Sequence, residues 1–212
     1  MFLGIFIKVI SLMIRGKKLV LATHNIHKKE EMINLLGNMG ITVFGLDDFS
    51  QVGEINETGK TLFENSLIKA QTVHGITGLP SLADDTGLEV DVLEGAPGIY
   101  SARYAGLDCS SEDNVNKLLF DLKGVTATKR KACFRTVMTF VNKSKELKSE
   151  GMIKGMITMA PKGSGGFGYD SIFQPENYSC TFAQLELEEK NRISHRSIAL
   201  VKMLKKLESF YE

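Results

Sequence analysis

The chain has almost no net charge: 26 Lys and Arg stand against 25 Asp and Glu, a formal +1 over 212 residues. Bulk attraction to nucleic acid or to an anionic membrane is thereby excluded, and any anion must be met by locally placed charge. Cysteine is scarce. Cys109, Cys133 and Cys180 are odd in number and far apart, which excludes a disulfide framework and a spaced zinc motif and fits a reducing, cytoplasmic setting. Long apolar runs are missing apart from residues 1–14, which are too few to span a bilayer and contain Lys8. No small-residue cleavage site follows that run. Residues 1–16 therefore read as an N-terminal extension and 17–212 as a single domain, with no membrane role. A Walker A lysine loop, a dinucleotide fingerprint and a nucleophile elbow are also absent. There is no internal repeat and no low-complexity tract.

What remains is a globular chain, 43% hydrophobic, with enough apolar residues for a sizeable core. "KKLVLAT" (17–23) predicts a short buried strand, and "NIHKKEEMINLLGNMG" (25–40) a helix with Met32, Ile33, Leu35, Leu36 and Met39 at helical spacing. "ITVFGL" (41–46) is the next strand; strand, helix, strand indicates an α/β unit. Thr61 and Glu64 form a T-x-x-E box opening a helix over 61–73. "PSLADD" returns to a strand that meets a glycine turn, 111–124 is helical, and 131–143 and 151–159 are long strands. A last helix begins near Ser194.

Four stretches hold candidate chemistry. In "ATHNIHKKE" a strand gives way to a helix, where unpaired N–H groups and the dipole favour an anion; Asn25 and Lys28 sit there. "GSGGFGYD" places Phe167 and Tyr169 among four glycines, either to stack on a base or to pack the loop down. In "KNRISHRS", His195 and Arg196 occupy a first helical turn, where cations oppose the dipole unless they face an anion. The acidic set Glu57, Glu64, Asp84 and Asp85 offers oxygen ligands of the kind Mg²⁺ takes. On a strand the two adjacent aspartates point to opposite faces. The inventory suits a Mg²⁺–nucleoside triphosphate better than acyl-transfer or redox chemistry.

"LATHNIHKKEE", "TGKTLFENSLIKA", "LADDTGLEVDVLEGAPGIYSARYAG", "GGFGYDSIF" and "EEKNRISHRSIAL" resemble, in order, the inosine triphosphate pyrophosphatase family. The resemblance runs from about Lys18 to the last helix, and its longest block, 82–106, is the most specific. It implies an elongated mixed central sheet flanked by helices, with an active-site cleft between two lobes. It also implies a cytoplasmic homodimer and Mg²⁺-dependent hydrolysis of ITP, dITP and XTP to monophosphate and pyrophosphate. By motif, Thr23, His24, Asn25, Ile26, His27 and Lys28 would bind the triphosphate. Asp85 would be the catalytic carboxylate and touch the metal, and Thr86 would hydrogen-bond the substrate. Phe167, Gly168, Tyr169 and Asp170 would wall the base, and Lys190, His195 and Arg196 would read its O6 edge.

The sequence departs from the family pattern at several positions. His24 replaces a common glycine, Thr86 a common serine and Ser171 a common proline. Asn56 stands where a carboxylate often serves as second metal contact, with Glu57 beside it. Two alternatives stand beside this reading: a pyrophosphatase of related fold for modified pyrimidine nucleotides, and, motivated by Asn56, a nucleotide-binding sensor that lost activity. A nucleic-acid partner is not expected, for want of a basic stripe.

Overall fold

The computed structural model of the protein describes residues 17–36 and 40–211; the N-terminal extension and Met39 of the predicted first helix lie outside the described residues. In chain order the elements are β1 (Lys18–Leu21), α1 (Ile26–Leu36), β2 (Thr42–Phe44), α2 (Leu62–Thr77), β3 (Ser81–Val90), β4 (Pro97–Gly98), α3 (Ser111–Asp121), β5 (Lys131–Val141), β6 (Glu146–Ile157), β7 (Phe173–Pro175), α4 (Leu187–Ile193) and α5 (His195–Tyr211). The strands form one mixed sheet in the order β2-β1-β3-β5-β6-β7, with β4 paired to β3. β1 runs parallel to β2 and β3, while β4 and β7 lie antiparallel to β3 and β6. The expected α/β class with a mixed, helix-flanked sheet is what the chain adopts.

The chain divides into two compact units. One holds the described residues up to Asp85 together with Val137–Glu150 and the chain from Ser197; the other holds Thr86–Thr136 and Gly151–Arg196.

In the first unit β1 is buried on both faces. Leu19 and Leu21 enter one apolar cluster with Met32, Leu36, Leu82, Met138, Leu200 and Met203. Val20 and Ala22 enter another with Leu46, Ala70, Val73 and Ala83. A parallel strand covered on both sides reads as an unbroken apolar run, hence "LVLA". On α2 the buried residues are Leu62, Asn65, Ser66, Lys69, Ala70 and Val73, a complete helical stripe in which three members are polar. Thr61 caps α2 by accepting the Glu64 N–H at 3.1 Å, but the Glu64 carboxylate reaches the Lys60 N–H rather than that of Thr61. Along β6, Lys202 and Lys206 of α5 donate to the carbonyls of Glu150 and Lys148 at 2.8 and 2.6 Å. The rise of four helical residues nearly matches that of two strand residues, so one helix face saturates two carbonyls on one side of the strand.

In the second unit Leu88, Val90, Val115, Leu118, Leu122, Phe134, Ile157, Ile172, Phe173 and Phe182 form the core. The buried Arg130 donates to the carbonyls of Val125, Thr158 and Leu122 at 3.1, 2.9 and 2.8 Å. It thereby closes the C-terminal end of α3, where carbonyls lack helical partners.

One expectation is corrected here and one element is added. β3 does not stop at a glycine turn after Asp85; it continues to Val90, because β4 pairs with it through Leu88↔Gly98 and Glu89↔Pro97. Gly87 serves a close approach, since a Cβ there would lie 2.6 Å from the Gly98 carbonyl oxygen. The final helix is also preceded by another, α4, from which it is separated by Ser194 in an extended conformation (φ −66°, ψ 150°).

Candidate active site

The first unit assembles a polar cluster on the carboxylate of Asp85. Lys69 Nζ lies 3.6 Å from Asp85 Oδ1 and 3.0 Å from Glu57 Oε1. Asn65 Nδ2 donates to Asp85 Oδ2 at 3.2 Å, and Asn65 Oδ1 accepts the Gly59 N–H at 2.9 Å. Asn65 and Lys69 are one helical turn apart on the inward stripe of α2, so both reach the same carboxylate. Burial pushes the Asp85 carboxyl above the usual carboxylate range, opposed by Lys69 and Lys28. Burial also works against the Lys69 charge, but Asp85, Glu57 and Asp84 outweigh it and hold the ammonium above its ordinary value. A carboxylate so desolvated, with each oxygen held by a different partner, is a stronger base than one in water.

Asp84 faces a different partner, as strand alternation requires: its Oδ2 lies 3.2 Å from Lys28 Nζ. Lys28 stands in the first turn of α1, where the Asn25 Oδ1 accepts the Lys28 N–H at 3.1 Å. Thr23 Oγ1 accepts the Asn25 N–H at 3.2 Å, and His24 Nε2 lies 3.2 Å from the Gly53 carbonyl. His24, Asn25, Ile26 and His27 are exposed and Thr23 half-buried, with His27 Nδ1 3.8 Å from Glu30. Asn56 is exposed, whereas Glu57 is half-buried and bonds Lys69. Glu57 thus shares Lys69 as a partner with Asp85.

Among the described residues no three His, Cys, Asp or Glu side chains form a complete metal cage. The donor set fits a hard cation of another habit. Mg²⁺ takes one or two carboxylates and fills its octahedron with water and phosphate oxygens, and Asp85 and Glu57 supply two such carboxylates.

The second unit assembles an aromatic and cationic set. The loop 161–171 is fastened down: Lys162 N–H reaches Ser171 O at 2.8 Å and Gly165 N–H reaches Ala183 O at 3.0 Å. Asp170 Oδ2 accepts the Phe167 N–H at 2.8 Å and Lys190 Nζ at 2.6 Å. At Gly166 φ is +69°, and a Cβ would collide with the Asp170 carboxylate, so glycine is needed there. Lys190 Nζ and Arg196 Cζ lie 4.9 and 5.7 Å from the Phe167 ring centroid. Gly168 and Phe167 remain partly accessible. Together with Asp170 they help line a cavity of ≈ 360 Å³ that also meets Ser111, Glu112 and Val115 of α3. The two aromatics have separate positions: Tyr169 is buried in the core with its hydroxyl donating to Ser101 O at 2.9 Å. His195 stacks on Phe134 (centroids 4.6 Å, 13° between planes) and Arg196 is fully buried. The start of α5 is therefore not a solvated helix end. Arg196 Nη2 donates to Thr86 Oγ1 at 3.4 Å.

Lys69 and Asn65 were not singled out by sequence reasoning. The signal was available: both occupy core positions of the α2 repeat, where an unpaired charge or amide is costly.

Within an α/β fold, the first unit holds a desolvated carboxylate with lysines and oxygen donors for a hard cation, a set that suits phosphate, and the second holds a fastened aromatic loop over two cations, a set that suits a planar ring. The Ham1 family model matches residues 19–206, and the chain belongs to that family. It is 46% identical over 199 residues to the dITP/XTP pyrophosphatase of Thermoanaerobacter pseudethanolicus, covering 90% of this chain and 98% of that one. With the dITP/XTP pyrophosphatase of Vibrio cholerae it shares 47% over 195 residues, 91% and 97% of the two chains. Among solved structures it is similar to a HAM1 protein from Coxiella burnetii (TM-score 0.82, 38% identity, 91% and 99% covered). The Ham1 protein of Staphylococcus aureus gives a TM-score of 0.81 at 36% identity, with the same coverage. Among the described residues no helix is long and apolar enough to cross a membrane.

Proposed function

We propose that the chain hydrolyses ITP, dITP and XTP to the monophosphate and pyrophosphate, with Mg²⁺, as a cytoplasmic homodimer. The observation that carries this reading is the buried Asp85 carboxylate held by Asn65 and Lys69, in a chain whose relatives are dITP/XTP pyrophosphatases. Asp85 orients water, or takes its proton, for attack at the α-phosphorus, the only attack that makes pyrophosphate the leaving group. Lys28, Lys69 and the helix start at α1 offset negative charge on the triphosphate, since phosphoryl chemistry rests mainly on positioning and charge stabilisation. Asp85 and Glu57 would hold Mg²⁺, which when bound adds charge neutralisation at the phosphates. Phe167 offers a ring to the base. Lys190 and Arg196 are donors that suit a 6-oxo purine and leave the 6-amino group of adenine unmatched. The sensor alternative rests on Asn56; what speaks for an active site instead is Glu57 next to it, half-buried and bonded to Lys69.

The test is Mg²⁺-dependent release of pyrophosphate from ITP, XTP, GTP and ATP. ITP and XTP are expected to exceed ATP by roughly 100-fold or more in kcat/KM, the scale on which a mismatched polar group is rejected. Release of orthophosphate instead of pyrophosphate, or equal use of ATP, would refute the reading.

A further inference from the structure

On β5 the residues Ala132, Phe134 and Thr136 are buried while Cys133 and Arg135 between them are not. Ala132 and Phe134 belong to the apolar core of the second unit. Thr136 is fully buried in the same row, where valine has the same shape and no polar atom. A buried hydroxyl is costly unless bonded. Its partner is Thr86: the two Oγ1 atoms are 2.7 Å apart. Thr86 Oγ1 also accepts from Arg196 Nη2 at 3.4 Å, and a guanidinium only donates. The Thr86 oxygen is thus held from one side by a cation and from the other by a neutral hydroxyl on the neighbouring strand. A threonine in a strand otherwise samples more than one χ1 rotamer, each aiming the hydroxyl differently.

We propose that Thr136 is a positioning residue: its hydroxyl holds the Thr86 hydroxyl in one orientation, aimed for an oxygen of the bound nucleotide. This rests on the reading of Thr86 as a substrate contact. Thr136 itself acts only through Thr86. It was not among the sequence candidates because nothing local to "FRTVM" marks one strand threonine as different from another.

Thr136→Val keeps the shape and deletes the hydroxyl; Thr136→Ser keeps the hydroxyl. For ITP hydrolysis, Thr136→Val is expected to lower kcat/KM roughly three- to tenfold, the worth of one hydrogen bond, and Thr136→Ser to recover most of that. The Thr86→Val/Thr136→Val double variant is expected to match Thr86→Val within about twofold, because the two residues act as one unit. Wild-type kinetics in Thr136→Val, or a full additional loss on the Thr86→Val background, would overturn the proposal. A second readout needs no substrate: three-bond couplings to the Thr86 methyl carbon report χ1 in the free protein. One rotamer is expected in wild type and Thr136→Ser, and averaging in Thr136→Val. Unchanged couplings in Thr136→Val would overturn the proposal even if ITP proved not to be the substrate, so the two failures are distinguishable.

Discussion

Lys69→Met is the most informative single change. Methionine keeps the stem and removes the ammonium that stands between Asp85 and Glu57. Lys69 is 7% exposed, so its charge is desolvated and its partners depend on it. Breaking a buried ion pair from one side costs about 3–5 kcal/mol. The Glu57 side chain, 31% exposed, can turn to water, while the Asp85 side chain, 12% exposed, cannot. The figure is accordingly reduced to about 2–4 kcal/mol, or roughly 5–12 °C in Tm for a chain of this size. Thermal unfolding in the presence of a chelator measures it. Lys69→Met/Asp85→Asn is expected to be more stable than Lys69→Met by about 1–2 kcal/mol, since no buried carboxylate is left without its cation. The pH dependence has a definite sign. Burial holds the Asp85 carboxyl above its ordinary value against the pull of Lys69 and Lys28. A group raised in this way favours the fold below its unfolded value and loses that contribution as pH rises through the folded value. Removing Lys69 deepens the loss, so the gap between wild type and Lys69→Met should widen as pH rises above the ordinary carboxylate range. A Tm within about 1 °C of wild type, or strict additivity in the double variant, would refute the reasoning.

Three further predictions are independent of that one. Asp85→Asn should abolish pyrophosphate release while leaving the far-UV circular dichroism unchanged; wild-type turnover would remove Asp85 from the mechanism. Gly59→Ala would put a Cβ 2.6 Å from both Asn65 Oδ1 and Glu64 Cβ. It should cost about 1–3 kcal/mol in urea unfolding and lower turnover by shifting Asn65 off Asp85; an unaltered unfolding midpoint would contradict the packing. Burial pushes the Cys133 thiol up to about 11, leaving roughly one part in a thousand as thiolate at pH 8. Mass spectrometry should therefore find Cys133 alkylated by iodoacetamide far more slowly than glutathione, and equal rates would contradict it.

The class of fold and much of the site were legible in the sequence because they depend on local order. "LVLA" is apolar without a break because both faces of β1 are covered, Thr61 announces its helix by its own side chain, and Asn25 with Lys28 is positioned by one turn of α1. The adjacent aspartates are separated by strand geometry alone, which turns them to opposite sides. The identity of each partner was not legible. Lys28 takes Asp84, Lys69 joins Asp85 to Glu57 rather than to Asn56, and Asn65 bridges Asp85 to the Gly59 backbone, all across gaps that only the packing of α1 and α2 against β3 closes. Phe167 and Tyr169 look interchangeable in "GGFGYD", yet one stays accessible while the other is buried with its hydroxyl on Ser101. The periodicity of a helix or strand determines which side of an element faces inward. Which groups meet there depends on how the elements pack, and charged or polar side chains at inward positions take their roles from those meetings.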